Sequence, residues 1–468
     1  MFEYRKFALR QLARIGPRYL PFADVATAEV PLSRLLRLSL FQITVGMALV
    51  LLVGTLNRVM IVELSVPATL VAVMLALPLV FAPFRTLIGF KSDTHHSALG
   101  WRRVPYIWKG TMLQFGGFAI MPFALLVLSG YGEAVDAPLW IGHSSAALAF
   151  LLVGAGLHMV QTVGLALATD LVTEEDQPKV VGLMYVMLLL GMIAAALIFG
   201  ALLVNYSPGR LVQVIQGAAV VTVVLNGLAL WKQEARDRAR AAAPPPDDRF
   251  LEVWRDFVRG PGAKRLLVVI GLGTFGYGMA DVLLEPYGGQ ALGLSVAQTT
   301  KLTAVLAAGG LMGFAVASRV LGRSGRPVAV ARVGAAVGVP GFGAIILSSF
   351  LGLAPLFVLG TLATGLGAGL FGHATLTATM RAAPREQVGL ALGAWGAVQA
   401  TAAGIGVAIG GIVRDVVVAL SGSADFDPAA AYIPVFMIEI LFLVLALGAM
   451  TPLIRASRAA LPQEAHAR

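Results

Sequence analysis

The residues of this chain with chemical capacity sit in apolar surroundings. His158 and Gln161 lie one helical turn apart within one long apolar run, and His373 closes Gly365-Leu-Gly-Ala-Gly-Leu-Phe-Gly-His373 within another. A neutral imidazole in such a place either bonds to a backbone carbonyl or ligates the metal of a flat macrocycle. The glycines before His373 strip side chains from the helix face, so that a macrocycle or a neighbouring helix can come close. A second group comprises Arg58 and Glu63 in Asn57-Arg-Val-Met-Ile-Val-Glu63, then Asp281 and Glu285, spaced i, i+4 on one helix face, and Glu439. Ionisable groups inside apolar runs are costly, so each needs a partner or a task. Arg58 can pair with Glu63, Asp281 or Glu285, forming a gate, a docking surface, or an ion pair that only fixes two parts of the chain. Asp281, Glu285 and Glu439 are also the acids that proton coupling would use. A third group is the charged turn from Arg85 to Lys109, which carries Gly89-x-x-x-Asp93 and Gly100-x-Arg102-Arg103. Finally, Asp170-Leu-Val-Thr-Glu-Glu-Asp176 holds four acids, which either cap the next helix or meet the basic loops. No hydrolytic triad, phosphate loop or metalloprotease signature occurs, so an enzyme is not expected. With no Cys there is no disulfide, thiol or cysteine metal site.

The elements that position these groups follow from composition. Of 468 residues, 58% are hydrophobic and 13% charged, with mean hydropathy +0.82. Continuous apolar runs of about 20 residues recur, each long enough to cross the hydrocarbon of a bilayer. Continuous rather than alternating runs mean helices, not a barrel. An all-α integral membrane protein with twelve transmembrane helices is predicted, at residues 36–62, 66–88, 107–129, 142–170, 179–204, 210–231, 265–285, 297–320, 328–350, 353–380, 387–414 and 432–455. The 53 Gly and 24 Pro suit polytopic helices, where small residues permit close packing. No cleavable signal is expected, because residues 1–34 are too polar and basic to supply an apolar core.

The net charge of +10 invites a nucleic-acid reading, but its distribution does not. With the N-terminus inside, 31 of the 35 Lys and Arg fall on the cytoplasmic side, leaving only Arg58, Arg210, Lys301 and Arg414 on the other. That asymmetry places both termini in the cytoplasm and favours an even number of spans. Five regions are expected. Residues 1–34 form a basic segment, either an amphipathic helix on the anionic inner leaflet or simple topogenic charge. A six-helix bundle over 35–231 and another over 265–455 flank a charged cytoplasmic linker, 232–264, and 456–468 form a tail. Pro244-Pro-Pro246 stops the helix entering the linker.

The halves read as diverged repeats. Leu64-Ser-Val-Pro-Ala-Thr-Leu70 after the first span matches Leu294-Ser-Val-Ala-Gln-Thr-Thr300 after the seventh, and Gln177-Pro-Lys-Val-Val-Gly-Leu183 matches Glu386-Gln-Val-Gly-Leu390. Two six-helix repeats of parallel type are the pattern of the major facilitator fold.

The wording of the chain resembles one branch of that superfamily, the PucC/LhaA family of bacteriochlorophyll-delivery proteins. The resemblance covers residues about 17 to 455. It is carried by stretches such as Gly54-Thr-Leu-Asn-Arg-Val-Met-Ile-Val-Glu63, Phe81-Ala-Pro-Phe-Arg-Thr-Leu-Ile-Gly89, Leu113-Gln-Phe-Gly-Gly117 and Leu284-Glu-Pro-Tyr-Gly-Gly289. It implies an assembly factor of the bacterial inner, intracytoplasmic photosynthetic membrane. Such a factor holds or delivers bacteriochlorophyll while light-harvesting α and β polypeptides gather into LH1 or LH2 rings. Carotenoid is a second candidate ligand; the reaction centre-LH1 core and pigment-synthesis enzymes are further candidate partners. His158 and His373, with Gln161, become candidate axial ligands of the chlorin Mg. In facilitator transporters an Asp ending helix two and Arg residues in the following loop latch the halves, so the resemblance makes Asp93, Arg102 and Arg103 such a latch; the alternative is a structural turn with topogenic charge. Here three residues are inserted, Thr94 replaces a basic residue, and Ala317 stands where the second half would carry its Asp. A proton-coupled secondary transporter and a pigment-free scaffold for light-harvesting polypeptides are the competing readings.

Overall fold

The computed structural model describes residues 26–80 except 28, then 88, 92, 101–130, 132–173, 176–234, 259, 262–324, 326–382, 388–421 and 427–466. The described secondary structure is helical throughout. The twelve principal helices are α1 (Leu32–Glu63), α2 (Ala68–Val80), α3 (Val104–Leu128), α4 (Leu139–Asp170), α5 (Gln177–Leu202), α6 (Pro208–Leu230), α7 (Ala263–Leu292), α8 (Val296–Ser324), α9 (Pro327–Leu351), α10 (Ala354–Ala382), α11 (Val388–Ser421) and α12 (Ile433–His466). Eleven of them contain stretches long and apolar enough to cross a membrane, while α2 is described only to Val80. Asp93 and most of the N-terminal segment and linker lie outside the described residues.

Local chemistry sets several helix starts. Proline occupies the first turn of α3, α6 and α9, where its missing N–H costs nothing. Ser207 caps α6 by accepting the Arg210 N–H at 3.1 Å. Pro78, Pro122, Pro286 and Pro340 lie inside helices, as bilayer-spanning bundles tolerate.

Four features depart from the predicted spans, the largest being that the twelfth helix continues to His466, into the predicted tail, beyond 455. The seventh helix runs to Leu292, not 285, which moves Asp281 and Glu285 from a helix end into its body. The eleventh continues to Ser421, beyond the predicted 414. The first contains two π-helical stretches, Val50–Leu56 and Val59–Glu63, wider turns that often accompany functional sites and that apolar patterning does not reveal.

Within the bundle, α3 packs on α4 and α6, and α10 on α8 and α9. The halves meet along α2–α11, α5–α8 and α1 with α7 and α8. Helix α1 is the most enclosed, with 83% of its apolar window buried against 28% for α11. Since lipid is as apolar as leucine, close approach rather than water exclusion holds such helices. Glycine supplies it: a Cβ at Gly156 would stand 2.7 Å from the Gln114 nitrogen on α3, and one at Gly313 2.8 Å from the Leu370 nitrogen on α10.

Candidate functional site

The turns matched between the two repeats share a backbone conformation. Ser65 and Gly293 both take the left-handed conformation, at φ 53° and 63°, immediately after α1 and α7. Arg58, only 3% exposed, donates to the Leu294 carbonyl at 3.0 Å and pairs with Glu63 at 2.5 Å. Of the three acids open to Arg58 on sequence grounds, the structure selects Glu63 as its ion-pair partner. The seam continues inward. Asn57 donates to the Val282 carbonyl on α7, and Thr55 and Thr300 share a hydrogen bond of 3.1 Å between α1 and α8. On the flanking helices, Asp415 accepts the Thr69 N–H at 2.6 Å and pairs with Arg414 at 2.8 Å. Arg414 and Tyr432 both donate to Gln290 Oε1, at 3.2 and 2.7 Å. This end of the bundle is thus closed by hydrogen bonds between backbone and side chains of both halves.

Deeper in α7 the acids take separate places. Glu285 is 4% exposed; its Oε1 accepts from the Thr303 hydroxyl and its Oε2 has no partner among the described residues. Asp281 stands on the wall of a cavity of about 220 Å³ between the halves, lined otherwise by Leu189 and Met192 of α5, Tyr277, Phe314, Phe342 and small residues of α8 and α10. Its side chain is accessible from that space. Glu439 of α12 is fully buried and accepts the Ala280 N–H at 2.6 Å, next to Met279 of α7. Nothing in the spacing of Glu439 from α7 announces this contact.

The histidines are in different halves. His158 and Gln161 lie on α4, His158 half-buried and Gln161 nearly enclosed. His373 on α10 is half-buried against the Phe314 ring, with centroids 4.1 Å apart, and its Nδ1 has no hydrogen-bond partner among the described residues. Three of the four glycines before it are taken up by helix packing. A Cβ at Gly365 would meet the Leu306 carbonyl carbon at 3.0 Å, one at Gly367 the Gly334 oxygen at 2.8 Å, and one at Gly369 the Gly310 carbonyl carbon at 2.9 Å. Neighbouring helices, not a macrocycle, therefore fill the space those three glycines leave, while a Cβ at Gly372 would meet nothing within 4 Å. On the outer face of α9 and α10 a second cavity, of about 440 Å³, is lined by Val333, Ala336, Pro340, Gly341, Gly360 and Ala363.

At the opposite, basic end Arg103 holds Asp170 with Nε at 2.6 Å and a terminal nitrogen at 3.2 Å, and donates to Ser92 at 3.1 Å. Arg102 reaches the same carboxylate at 3.5 Å. Of the two roles open to Asp170, it is the meeting with the basic loop that is observed, while Asp176 pairs locally with Lys179 at 2.9 Å. Glu234, which no local pattern singles out, accepts the N–H groups of Arg102, Arg103 and Val104 at 2.8 to 3.1 Å and so caps α3. Beside it, Arg34 donates to the Gln233 carbonyl at 2.8 Å. A recess of about 850 Å³ lies there among Trp101, Trp108, Trp231, Arg34 and Lys232. Arg102 and Arg103 thus bind α4 and the end of α6, all within the first half; whether they also face Asp93 lies outside the described residues.

Comparison with known proteins agrees with this geometry. The family described as PUCC protein matches residues 55–458. "Protein PucC" of Rhodobacter capsulatus is 67% identical over 456 residues, covering 97% of this chain and 99% of that protein. "Protein PucC" of Rhodovulum sulfidophilum is 66% identical over 415 residues, covering 88% of this chain and 91% of the relative. More distantly, "Bacteriochlorophyll synthase 44.5 kDa chain" of Rhodobacter capsulatus is 29% identical over 389 residues, 82% of this chain and 87% of that one. Among solved structures, a bacterial homologue of the iron transporter ferroportin in an inward-facing state superposes with TM-score 0.65 at 15% identity, covering 89% of this chain and 97% of that chain. The nucleoside transporter NupG superposes with TM-score 0.66 at 14% identity, covering 90% and 99%. At such identities these structures speak for the fold, that of major facilitator transporters with two six-helix repeats.

Proposed function

Because the chain belongs to the PUCC protein family, we propose that it is an assembly factor for bacterial light-harvesting complexes, which binds bacteriochlorophyll and presents it to α and β polypeptides during LH1 or LH2 ring assembly. The family match along residues 55–458 carries this reading. The distant relative named for bacteriochlorophyll synthase supports the pigment side of it. The membrane served is the bacterial inner, intracytoplasmic one, with both termini cytoplasmic, as the Lys and Arg distribution favours.

The fit of the chain to the pigment can be judged from its cavities. The space between the halves, about 220 Å³, is too small to enclose a tetrapyrrole, since drug-sized ligands already occupy about 300–1,000 Å³. A macrocycle held by this chain would therefore lie outside that space, against the lipid-facing surface or in the recess of about 850 Å³ among Trp101, Trp108 and Trp231. His373, with an unbonded Nδ1, and His158 are the side chains suited to an axial bond to Mg, with Gln161 as a neighbouring donor or acceptor. When bound, the pigment supplies light absorption rather than reaction chemistry. The groove between α9 and α10, lined by Ala336, Gly341, Gly360 and Ala363, suits close approach of a single-span partner helix or of an acyl or phytyl tail. Reaction centre-LH1 cores, pigment-synthesis enzymes and carotenoid are further candidates for the same surface.

Absorbance of the purified protein tests this. Bacteriochlorophyll should co-purify; His158→Leu and His373→Leu should reduce it and shift its red band while the protein still inserts. Counterflow of a water-soluble solute by colourless protein would establish the transporter reading instead. Light-harvesting polypeptides captured by protein that never carries pigment would establish the scaffold.

A further inference from the structure

The recess at the basic end of the first bundle is walled by three tryptophans that the fold brings together. Trp108 lies on the first turns of α3, Trp101 precedes that helix, and Trp231 follows directly on α6. The recess opens onto a bare face of the same helix pair. Exposed Trp108, Met112 and Phe115 repeat at i, i+4 and i+7 on α3, and exposed Val224, Leu228 and Trp231 do so on α6. The two helices pack on each other, and both stripes start at the recess, since Trp108 and Trp231 line it. Gly227, one turn before Trp231, also lines it, and a Cβ there would meet nothing within 4 Å.

Two cations reach the same space. Arg34 of α1 spends Nε and one terminal nitrogen on Gln233, at 3.3 and 2.8 Å, and its Nη1 has no partner among the described residues. Lys232 is exposed and makes no hydrogen bond or ion pair among the described residues. Glu234 is the one acid among the described lining residues, and its oxygens are occupied by the N–H groups at the start of α3. The rim is also fixed. Lys232 holds a φ of 56°, uncommon for a residue with a Cβ, between α6 and the two anchors Gln233 and Glu234. None of the described lining residues is a histidine, so the recess offers no imidazole to a chlorin Mg.

We propose that this recess is a selective site for one anionic glycerophospholipid, with its phosphate between Arg34 and Lys232 and its acyl chains running over Trp108 and Trp231 onto the α3–α6 face. Two cations against one committed acid favour a headgroup of net negative charge over a zwitterionic one, which brings a cation of its own. The apolar stripes give the chains a surface that a free phosphate would not use. Tryptophan is suited to headgroup depth, where its ring meets both lipid and water. A headgroup here touches α1, α3 and the exit of α6 together, and so ties the first bundle by a molecule outside the chain. The inference goes beyond pigment binding and does not depend on it.

The test uses the purified full-length chain in detergent micelles holding equal amounts of phosphatidylglycerol and phosphatidylcholine with the same acyl chains, read by native mass spectrometry. One phosphatidylglycerol should be retained per chain, with a preference over phosphatidylcholine of at least about tenfold. Lys232→Gln, which breaks no contact among the described residues, should lower that retention about fivefold. Gly227→Leu should lower it at least as much, by filling the recess from a position with open space around it. Arg210→Gln, which removes a charge at the other end of α6, should leave it unchanged. Equal retention of the two lipids by the wild type overturns the proposal, as does retention that either Lys232→Gln or Gly227→Leu leaves unchanged. Displacement of the lipid by millimolar inorganic phosphate overturns it in favour of a free-anion site. Bacteriochlorophyll lost from Gly227→Leu while phospholipid retention is unchanged overturns it in favour of a pigment site.

Discussion

Arg103 grips Asp170 with two nitrogens, at 2.6 and 3.2 Å, and in doing so fastens the start of α3 to the end of α4. Arg103 is enclosed, at 7% side-chain exposure, whereas Asp170 keeps 35%. A planar guanidinium is matched to this two-point contact, and an ammonium is not. Arg103→Lys should therefore behave as a loss, not a conservative change. A double-mutant cycle with Asp170→Asn, read by thermal unfolding in detergent, should give a coupling of about 2 kcal/mol. A coupling indistinguishable from zero would reduce the pair to a solvated surface contact.

The close approach of α8 and α10 rests on the absence of side chains. A Cβ at Gly313 would lie 2.8 Å from a backbone nitrogen of α10, which cannot swing aside. Gly313→Val should cost about 1–3 kcal/mol, seen as a lower unfolding temperature with membrane insertion retained. Gly343, with nothing within 4 Å of its would-be Cβ, is the matched control, and Gly343→Val should change little.

Tyr206 lies between α5 and α6, outside both helices, and burial raises its phenol to about 12, with the Glu63 charge adding to the effect and Arg58 opposing it. Its ordinary value is 10.0. Since ionisation is harder in the folded protein, the stability it contributes is complete below pH 10 and is lost as the pH climbs through about 12. Phenolate absorbance of the wild type minus that of Tyr206→Phe should show a late step near pH 12. A step at the ordinary value would mean that the ring is solvated.

Reporter fusions after residue 240 and residue 466 should both register cytoplasm, and one at residue 135 the opposite side. The Lys and Arg asymmetry motivates the expectation. A non-cytoplasmic signal at 240 would remove the proposed orientation.

The helices were legible because each announces itself by a run of apolar residues, a local property. The packing of Gly365, Gly367 and Gly369 was legible only as two alternatives, since a bare helix face admits a neighbour or a ligand equally. Arg58 posed a similar choice among three acids, and only the folded positions of its side chain, on Glu63 and the Leu294 carbonyl, decide it. Glu234 and Glu439 act on backbone N–H groups more than a hundred residues away, at Arg103 and Ala280, and a capping contact at that separation leaves no local pattern. The π-helical turns of α1 escape for another reason: they alter hydrogen-bond register without altering which residues are apolar.

The cap that Glu234 places on α3 also fixes where the first half of the molecule ends. Together with the Arg34–Gln233 contact, it keeps the chain attached to the first bundle four residues beyond α6. A polypeptide severed after that anchor would lose covalent continuity while keeping every contact described for its first half. Residues 1–240 and 241–468, produced as two separate chains in one cell, should consequently find each other through α2–α11 and α5–α8, and reconstitute the bundle as a complex of fragments.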